Sequence, residues 1–213
     1  MFQLPPKGAL RPNGPADPLP YYYAPMIGLL YRRRIEQGLA MLSPPYGSIL
    51  EVGYGSGVLL PSLCRIGDYV AGVDLNSDPQ EVGAAVSRLG AECELRRGDL
   101  LDDLFHTQKF DLVVAFSVLE HIADLEPVLS RFHELLSPSG HLLVGMPRVD
   151  RFMEKAFEII GFSNIEDHHV TDYRTCLRQA TRWFDLEGFS HMPSWLPERA
   201  GIYFNMFFVR KDT

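Results

Sequence analysis

The chain has 213 residues, 46% hydrophobic and 22% charged, with a net charge of −7, which suits one α/β domain with a sizeable core. An acidic chain lacks the broad positive field that nucleic-acid binding draws on, so DNA and RNA are not expected partners. Three scattered cysteines give neither a disulfide framework nor metal-ligand spacing, no apolar run approaches the roughly 18 residues of a membrane span, and the start is not basic-then-apolar; together these predict a cytoplasmic protein with no bound metal.

Residues 1–20 carry six prolines and predict an extended or disordered arm with little that could form a core. Residues 21–46 read as an N-terminal helical cap. From Met26 to about Leu42, apolar residues recur near every third and fourth position, until Ser43-Pro44-Pro45-Tyr46-Gly47 stops the helix. Arg32-Arg33-Arg34 on this helix reads first as a solvated face; the other readings are an anionic substrate site and a membrane-surface contact.

The rest, 47–213, reads as one domain. A first strand, Gly47 to Val52, ends at Glu51-Val52 and runs into Gly53-Tyr54-Gly55-Ser56-Gly57, followed by a helix to about Ile66 that must start late or bend at Pro61. A strand, a Gly-rich turn and a helix N-terminus together make a ligand-binding βα unit. The dinucleotide spacing G-x-G-x-x-G fails in both registers, because Val58 or Leu60 falls at the third glycine. The Lys-Ser/Thr pair of a phosphate-binding P-loop is also absent. What stands is acid-x-G-x-G-x-G. In that motif, and in the later phrase Phe110 to Ile122 (FDLVVAFSVLEHI), the chain resembles the class I S-adenosylmethionine-dependent methyltransferases, in particular their small-molecule, type 11-like branch. The resemblance is strong over about 47–147 and weak over the last third.

The resemblance implies a Rossmann-like three-layer α/β sandwich, with a seven-stranded, mostly parallel sheet ending in an antiparallel hairpin. It implies S-adenosylmethionine as cofactor and S-adenosylhomocysteine as product. Cofactor contacts are expected at Glu51, Gly53, Tyr54, Gly55 and Gly57. A second strand, Tyr69 to Val73, ends at Asp74, with Leu75 next to it. Asp74 lies 17 residues past Gly57, and the family places its ribose acid there; a helix cap is the other reading. A helix from Pro79 to Leu89 and a strand from Ala91 to Arg97 lead to Asp99 and Leu100, matching the family's adenine contacts, with Asp102 and Asp103 as rivals. Ser117 ends the fourth strand, beside the methionine part of the cofactor. The N-terminal segment is expected to cover the cofactor, making Tyr22, Tyr23 and Tyr31 substrate-pocket candidates.

After a helix through Leu136 and the turn Ser137-Pro138-Ser139-Gly140, a fifth strand spans His141 to Met146. Residues 148–171 look like an insertion over the active site that sets substrate choice. A last helix is expected from Asp172 to Leu186, stopped by Gly188-Phe189. Ser190 to Trp195 and Ile202 to Val209 would form the closing hairpin.

These expectations make the chain a methyltransferase acting on a small-molecule acceptor, as a monomer or homodimer. His121 and His169 are the candidate bases if the nucleophile is a hydroxyl. His121 is otherwise a loop hydrogen-bonder and His169 a brace for the last helix. A non-catalytic cofactor-binding module is the alternative, and an NAD-linked oxidoreductase is set back by the glycine spacing. The Asn/Asp-Pro-Pro-aromatic signature of amino methylation in nucleic acids is missing, since Ser117-Val118-Leu119-Glu120 stands in its place. Asp102, Asp103, His106 and Asp124 do not make a recognisable metal site.

Overall fold

A computed structural model describes residues 2–15, 17–102, 104–148 and 170–212. Seven strands form one sheet: β1 Tyr46–Val52, β2 Gly67–Asp74, β3 Glu94–Arg97, β4 Phe110–Phe116, β5 Leu136–Pro147, β6 Phe184–Met192 and β7 Tyr203–Arg210. Their order is β3-β2-β1-β4-β5-β7-β6. The first five run parallel, and β7 pairs antiparallel with both β5 and β6. The described helices are α1 Leu19–Tyr22, α2 Ile27–Leu39, α3 Leu60–Leu63, α4 Pro79–Ser87, α5 Glu126–Leu135 and α6 Tyr173–Ala180. The architecture is Rossmann-like, with helices on both faces.

The side-chain alternation of the strands divides the core in two. Leu50, Val113, Ala115 and Val144 face α5 and α6, where Leu129, Phe132 and Cys176 meet them. Ile49, Leu112, Val114 and Leu143 face the other way, toward Ile35 of α2, Leu60 and Leu63 of α3, and Val86 of α4. α2 sits close to the sheet because Gly38 leaves room: a Cβ there would stand 2.7 Å from Phe116 Cζ.

Four local expectations need correction. The Pro-rich arm does contribute to the core: Phe2, Leu10 and Leu19 are buried, and the Gln3 backbone N–H donates to Ser62 Oγ at 3.0 Å. Its few apolar side chains join the cluster that also holds Leu60 and Leu63 of α3 and Val82 and Val86 of α4, with the Phe2 ring 6.3 Å from that of Tyr22. The helix after the glycine turn is one turn long, with Pro61 in that turn, where its missing N–H costs nothing. Ser137-Pro138-Ser139-Gly140 lies within the span of β5, with Ser139 at φ +59°. The last helix stops at Ala180. Phe184 is fully buried beside Phe208, and Gly188-Phe189 sit in β6, where the register shifts between Leu186 and Gly188. Sheet pairing with β7 outweighs the helical pattern there.

The connection over 149–169 leaves and rejoins this framework at fixed points. The Arg148 N–H donates to Ile202 O at 2.9 Å. The N–H groups of Val170 and Thr171 donate to Glu120 O at 2.8 and 3.2 Å, and Thr171 Oγ1 donates to Ile122 O at 2.6 Å.

Candidate functional site

The sheet order reverses between β1 and β4, and ligands of open α/β sheets bind outside the carboxyl ends of the strands at such a point. The glycine loop lies there. Gly53, Gly55 and Gly57 have φ of +76°, +52° and +81°, values that favour glycine. A Cβ on Gly53 would stand 2.4 Å from Val118 Cγ2, and one on Gly57 would stand 2.7 Å from Val82 Cγ1. Those two are small for the protein's own packing. The nearest atom to a Cβ on Gly55 is Asp17 Oδ2 at 4.0 Å. Its bare backbone therefore faces outward, where a ligand can approach closely.

Polar contacts hold the loop in this shape. Asp74 Oδ2 accepts from the Gly55 N–H at 2.9 Å, and its Oδ1 accepts from the Asn76 and Ser77 N–H groups, both at 2.8 Å. A carboxylate offers about four acceptor sites, so Asp74 keeps about one for a ligand. Asp78, not Asp74, caps α4, accepting from the Gln80 and Glu81 N–H groups. Ser77 Oγ donates to Gly55 O at 2.9 Å and accepts from Asn13 Nδ2 at 2.6 Å; Asp17 Oδ1 accepts from Ser56 Oγ at 3.3 Å. The N-terminal arm thus touches the loop. Glu51 is buried behind it with Oε2 unpaired, and burial, followed by the Asp74 charge, pushes its carboxyl well above the usual range. The Tyr54 ring turns into the core, with its hydroxyl 3.4 Å from Ser77 O, so only its backbone is available to a ligand. Leu75 and Asp99 are exposed and Leu100 is buried; Asp99 Oδ1 accepts from the Leu101 N–H at 2.9 Å.

A second cluster lies at the end of β4, around Arg34. This arginine is half-buried, unlike the exposed Arg33, which corrects the reading of all three arginines as a solvated face. Arg34 Nη1 donates to Ser117 Oγ and Nη2 to Tyr22 OH, each at 3.1 Å. The guanidinium carbon lies 4.3, 5.2 and 5.7 Å from the ring centroids of Tyr31, Tyr203 and Tyr22, within cation–π range. Ser117, at φ +57°, also shares a 3.1 Å hydrogen bond with Tyr203 OH. Tyr23 points elsewhere, donating to Pro5 O at 2.9 Å.

Arg34 has no carboxylate in ion-pair contact among the described residues, and its Nε is shielded from solvent without a partner. The nearby Glu120 carboxyl is 1% exposed, with Oε2 unpaired. Burial pushes its pKa up to about 7, against the pull of Arg34 and a hydrogen bond with Ser117. A guanidinium with no carboxylate in ion-pair contact among the described residues, held at the carboxyl end of β4, fits a ligand carrying a carboxylate. His121 lies in the 3₁₀ turn Leu119–His121 and is exposed. His169, His168 and Asp103 lie outside the described residues. No group of three or more His, Cys, Asp or Glu side chains among the described residues could hold a metal ion.

The sequence did carry a signal for Arg34: it is three residues after Tyr31 and four before Gly38, on the buried stripe of α2. Glu120 and Tyr203 carried none. Their meeting depends on β7 lying beside β5.

A family model described as a methyltransferase domain matches residues 29–191. The ubiquinone biosynthesis O-methyltransferase of Bradyrhizobium diazoefficiens is 30% identical over 144 residues, covering 65% of this chain and 54% of that protein. That of Vibrio atlanticus is 31% identical over 122 residues, covering 53% and 48%. The chain spans about half the length of these curated relatives. The N-methyltransferase NodS from Bradyrhizobium japonicum, crystallised with S-adenosyl-L-homocysteine, superposes with a TM-score of 0.67 at 18% identity, covering 95% of this chain and 96% of that one. The PH0226 protein from Pyrococcus horikoshii gives 0.69 at 16% identity, covering 89% and 94%.

Proposed function

Since the chain belongs to the class I S-adenosylmethionine-dependent methyltransferase family, we propose that it moves a methyl group from S-adenosylmethionine to a small-molecule acceptor. The cofactor, when bound, supplies a methyl group on a sulfonium, open to in-line displacement. The observation that carries the reading is Arg34, a tyrosine-caged cation bonded to Ser117 at the carboxyl end of β4, with no carboxylate in ion-pair contact among the described residues. Its guanidinium would hold the methionine carboxylate. The backbone at Gly53, Gly55 and Gly57 would lie along the ligand, the free acceptor site of Asp74 would take a ribose hydroxyl, and Asp99 with Leu100 would meet the adenine. His121 would accept the proton of a hydroxyl acceptor, with His169 as the other candidate base. Tyr22 and Tyr31 act through Arg34 in this scheme. An oxygen nucleophile is the first to test, because the sequence relatives are named O-methyltransferases. The reading includes a cytoplasmic monomer or homodimer that binds no nucleic acid. No described helix is long and apolar enough to cross a membrane.

The test is calorimetric titration with S-adenosylmethionine, S-adenosylhomocysteine and NAD, then labelled methyl transfer to a panel of phenols, carboxylates and amines. Micromolar binding of both sulfur compounds, none of NAD, and label in a small-molecule product is the expected result. Tight binding without transfer to any member would favour a binding module instead.

Three substitutions probe the loop. Asp74→Ala is expected to weaken S-adenosylhomocysteine binding by about 1.5 to 3 kcal/mol, the range for hydrogen bonds to a charged group; unchanged affinity in a folded variant would remove the ribose assignment. Gly55→Ala meets no side-chain clash, so the protein should fold, at a cost of about 1 kcal/mol for the positive φ, yet bind the cofactor at least about tenfold more weakly. Gly57→Ala, which collides with Val82, should instead lower the melting temperature.

A further inference from the structure

We propose that Cys64 and Cys93 form a reversible intramolecular disulfide, a redox site apart from the methyl-transfer machinery. Cys64 ends α3, and Cys93 sits in the connection leading into β3. The fold brings them together. Cys64 Sγ donates to Glu92 O, the carbonyl just before Cys93, at 3.4 Å, which sets its thiol beside Cys93, close enough for each thiol to act on the other. Both are partly accessible and both are free. The third cysteine, Cys176, is fully buried in the core, and burial pushes its thiol up to about 12, so it is inert.

The pair is also chemically unequal. The neighbouring Cys93 thiol holds the Cys64 thiol below its ordinary range, against burial and Glu92. The same pairing raises Cys93. Cys64 is therefore the thiolate that reacts first, and Cys93 the resolving thiol. With a peroxide as oxidant, the Cys64 thiolate attacks one peroxide oxygen. The O–O bond breaks, giving a sulfenic acid and, with one proton, a water. The Cys93 sulfur then attacks the sulfenic sulfur; the S–S bond forms, the S–O bond breaks, and the oxygen leaves as a second water. Two thiols lose two electrons and the peroxide gains them.

The ring so closed contains β2, Asp74 and α4, the segment that braces the glycine loop. Cross-linking should stabilise the fold, because it restricts the unfolded chain.

The experiment treats the full-length protein with hydrogen peroxide, counts free thiols, and maps the digested peptides with and without reductant. The expected result is a fall from three free thiols to one, a Cys64–Cys93 cross-linked peptide that reductant dissolves, and a higher melting temperature in the oxidised protein. Cys64→Ser should keep both of its remaining thiols free with no cross-link, Cys93→Ser should leave a trappable sulfenic acid at Cys64, and Cys176→Ser should cross-link normally. Disulfide-linked dimers, oxidation to sulfinic acid at Cys64 without cross-linking, or dependence on Cys176 would overturn the proposal. None of these readouts depends on methyl transfer, so the two proposals stand or fall separately.

Discussion

Arg34→Met is expected to weaken S-adenosylhomocysteine binding at least about a hundredfold, since truncating one partner of a buried charged pair costs about 2 to 5 kcal/mol. The same variant should keep the free protein's melting temperature within a few degrees. In the free protein the guanidinium has two hydroxyl partners and three aromatic rings but no carboxylate ion pair among the described residues. Methionine removes a charge that no described carboxylate pairs, while its flexible chain fills much of the same volume. Isothermal titration and thermal melts of the two proteins separate the effects. Unchanged affinity, or collapse of the fold without a ligand, would mean that Arg34 is structural. Arg34→Lys should also bind poorly, because a point charge cannot copy the fork that meets Ser117 and Tyr22 together.

The second large effect is on pH. Glu120 holds its proton to about pH 7 in the folded protein, while an unfolded glutamate releases it near 4.3. Between those values the native state binds more protons than the unfolded state. Stability therefore falls as pH rises through that window, and levels off above the folded pKa. The loss should total about 3 kcal/mol from pH 4.5 to 8. Glu120→Gln keeps the shape and the hydrogen bond to Ser117 but cannot ionise, so it should remove that slope and be more stable than the parent at pH 8. Urea unfolding across pH, read as the difference between the two proteins, isolates Glu120 from Glu51, which shifts in the same direction. Parallel curves would show that Glu120 ionises normally.

The sheet and the glycine loop were legible because their causes are local. An apolar strand, three glycines and an acid one βα unit later need no distant partner to be recognised. The separate duties of the three glycines were not legible: only the positions of Val118 and Val82 show that Gly53 and Gly57 serve packing while Gly55 faces outward. Arg34 was read as solvated because a run of three arginines looks like a surface. The helical face that it shares with Tyr31, Ile35 and Gly38 points inward only once α2 lies against β7. The β6 boundary was missed for a related reason, since Phe184 to Phe189 gain their partners from a strand that follows them in the chain. The Pro-rich arm was underestimated because two or three well-placed apolar side chains suffice when the surface receiving them already exists.

Residues 149–169, where an insertion that sets substrate choice is expected, lie outside the described residues, but both of their flanks are fixed. The 21 residues begin from a backbone bond to Ile202 and end at two backbone bonds to Glu120, all within the rigid frame. Closing a connection between fixed ends depends only on the logarithm of its length, so doubling it costs about 0.6 kcal/mol. A segment of different length and composition can therefore be grafted between Arg148 and Val170 with the sheet, the glycine loop and the Arg34 cage left in register. We expect exchange of this segment to change the acceptor while leaving the hold on the methyl donor intact.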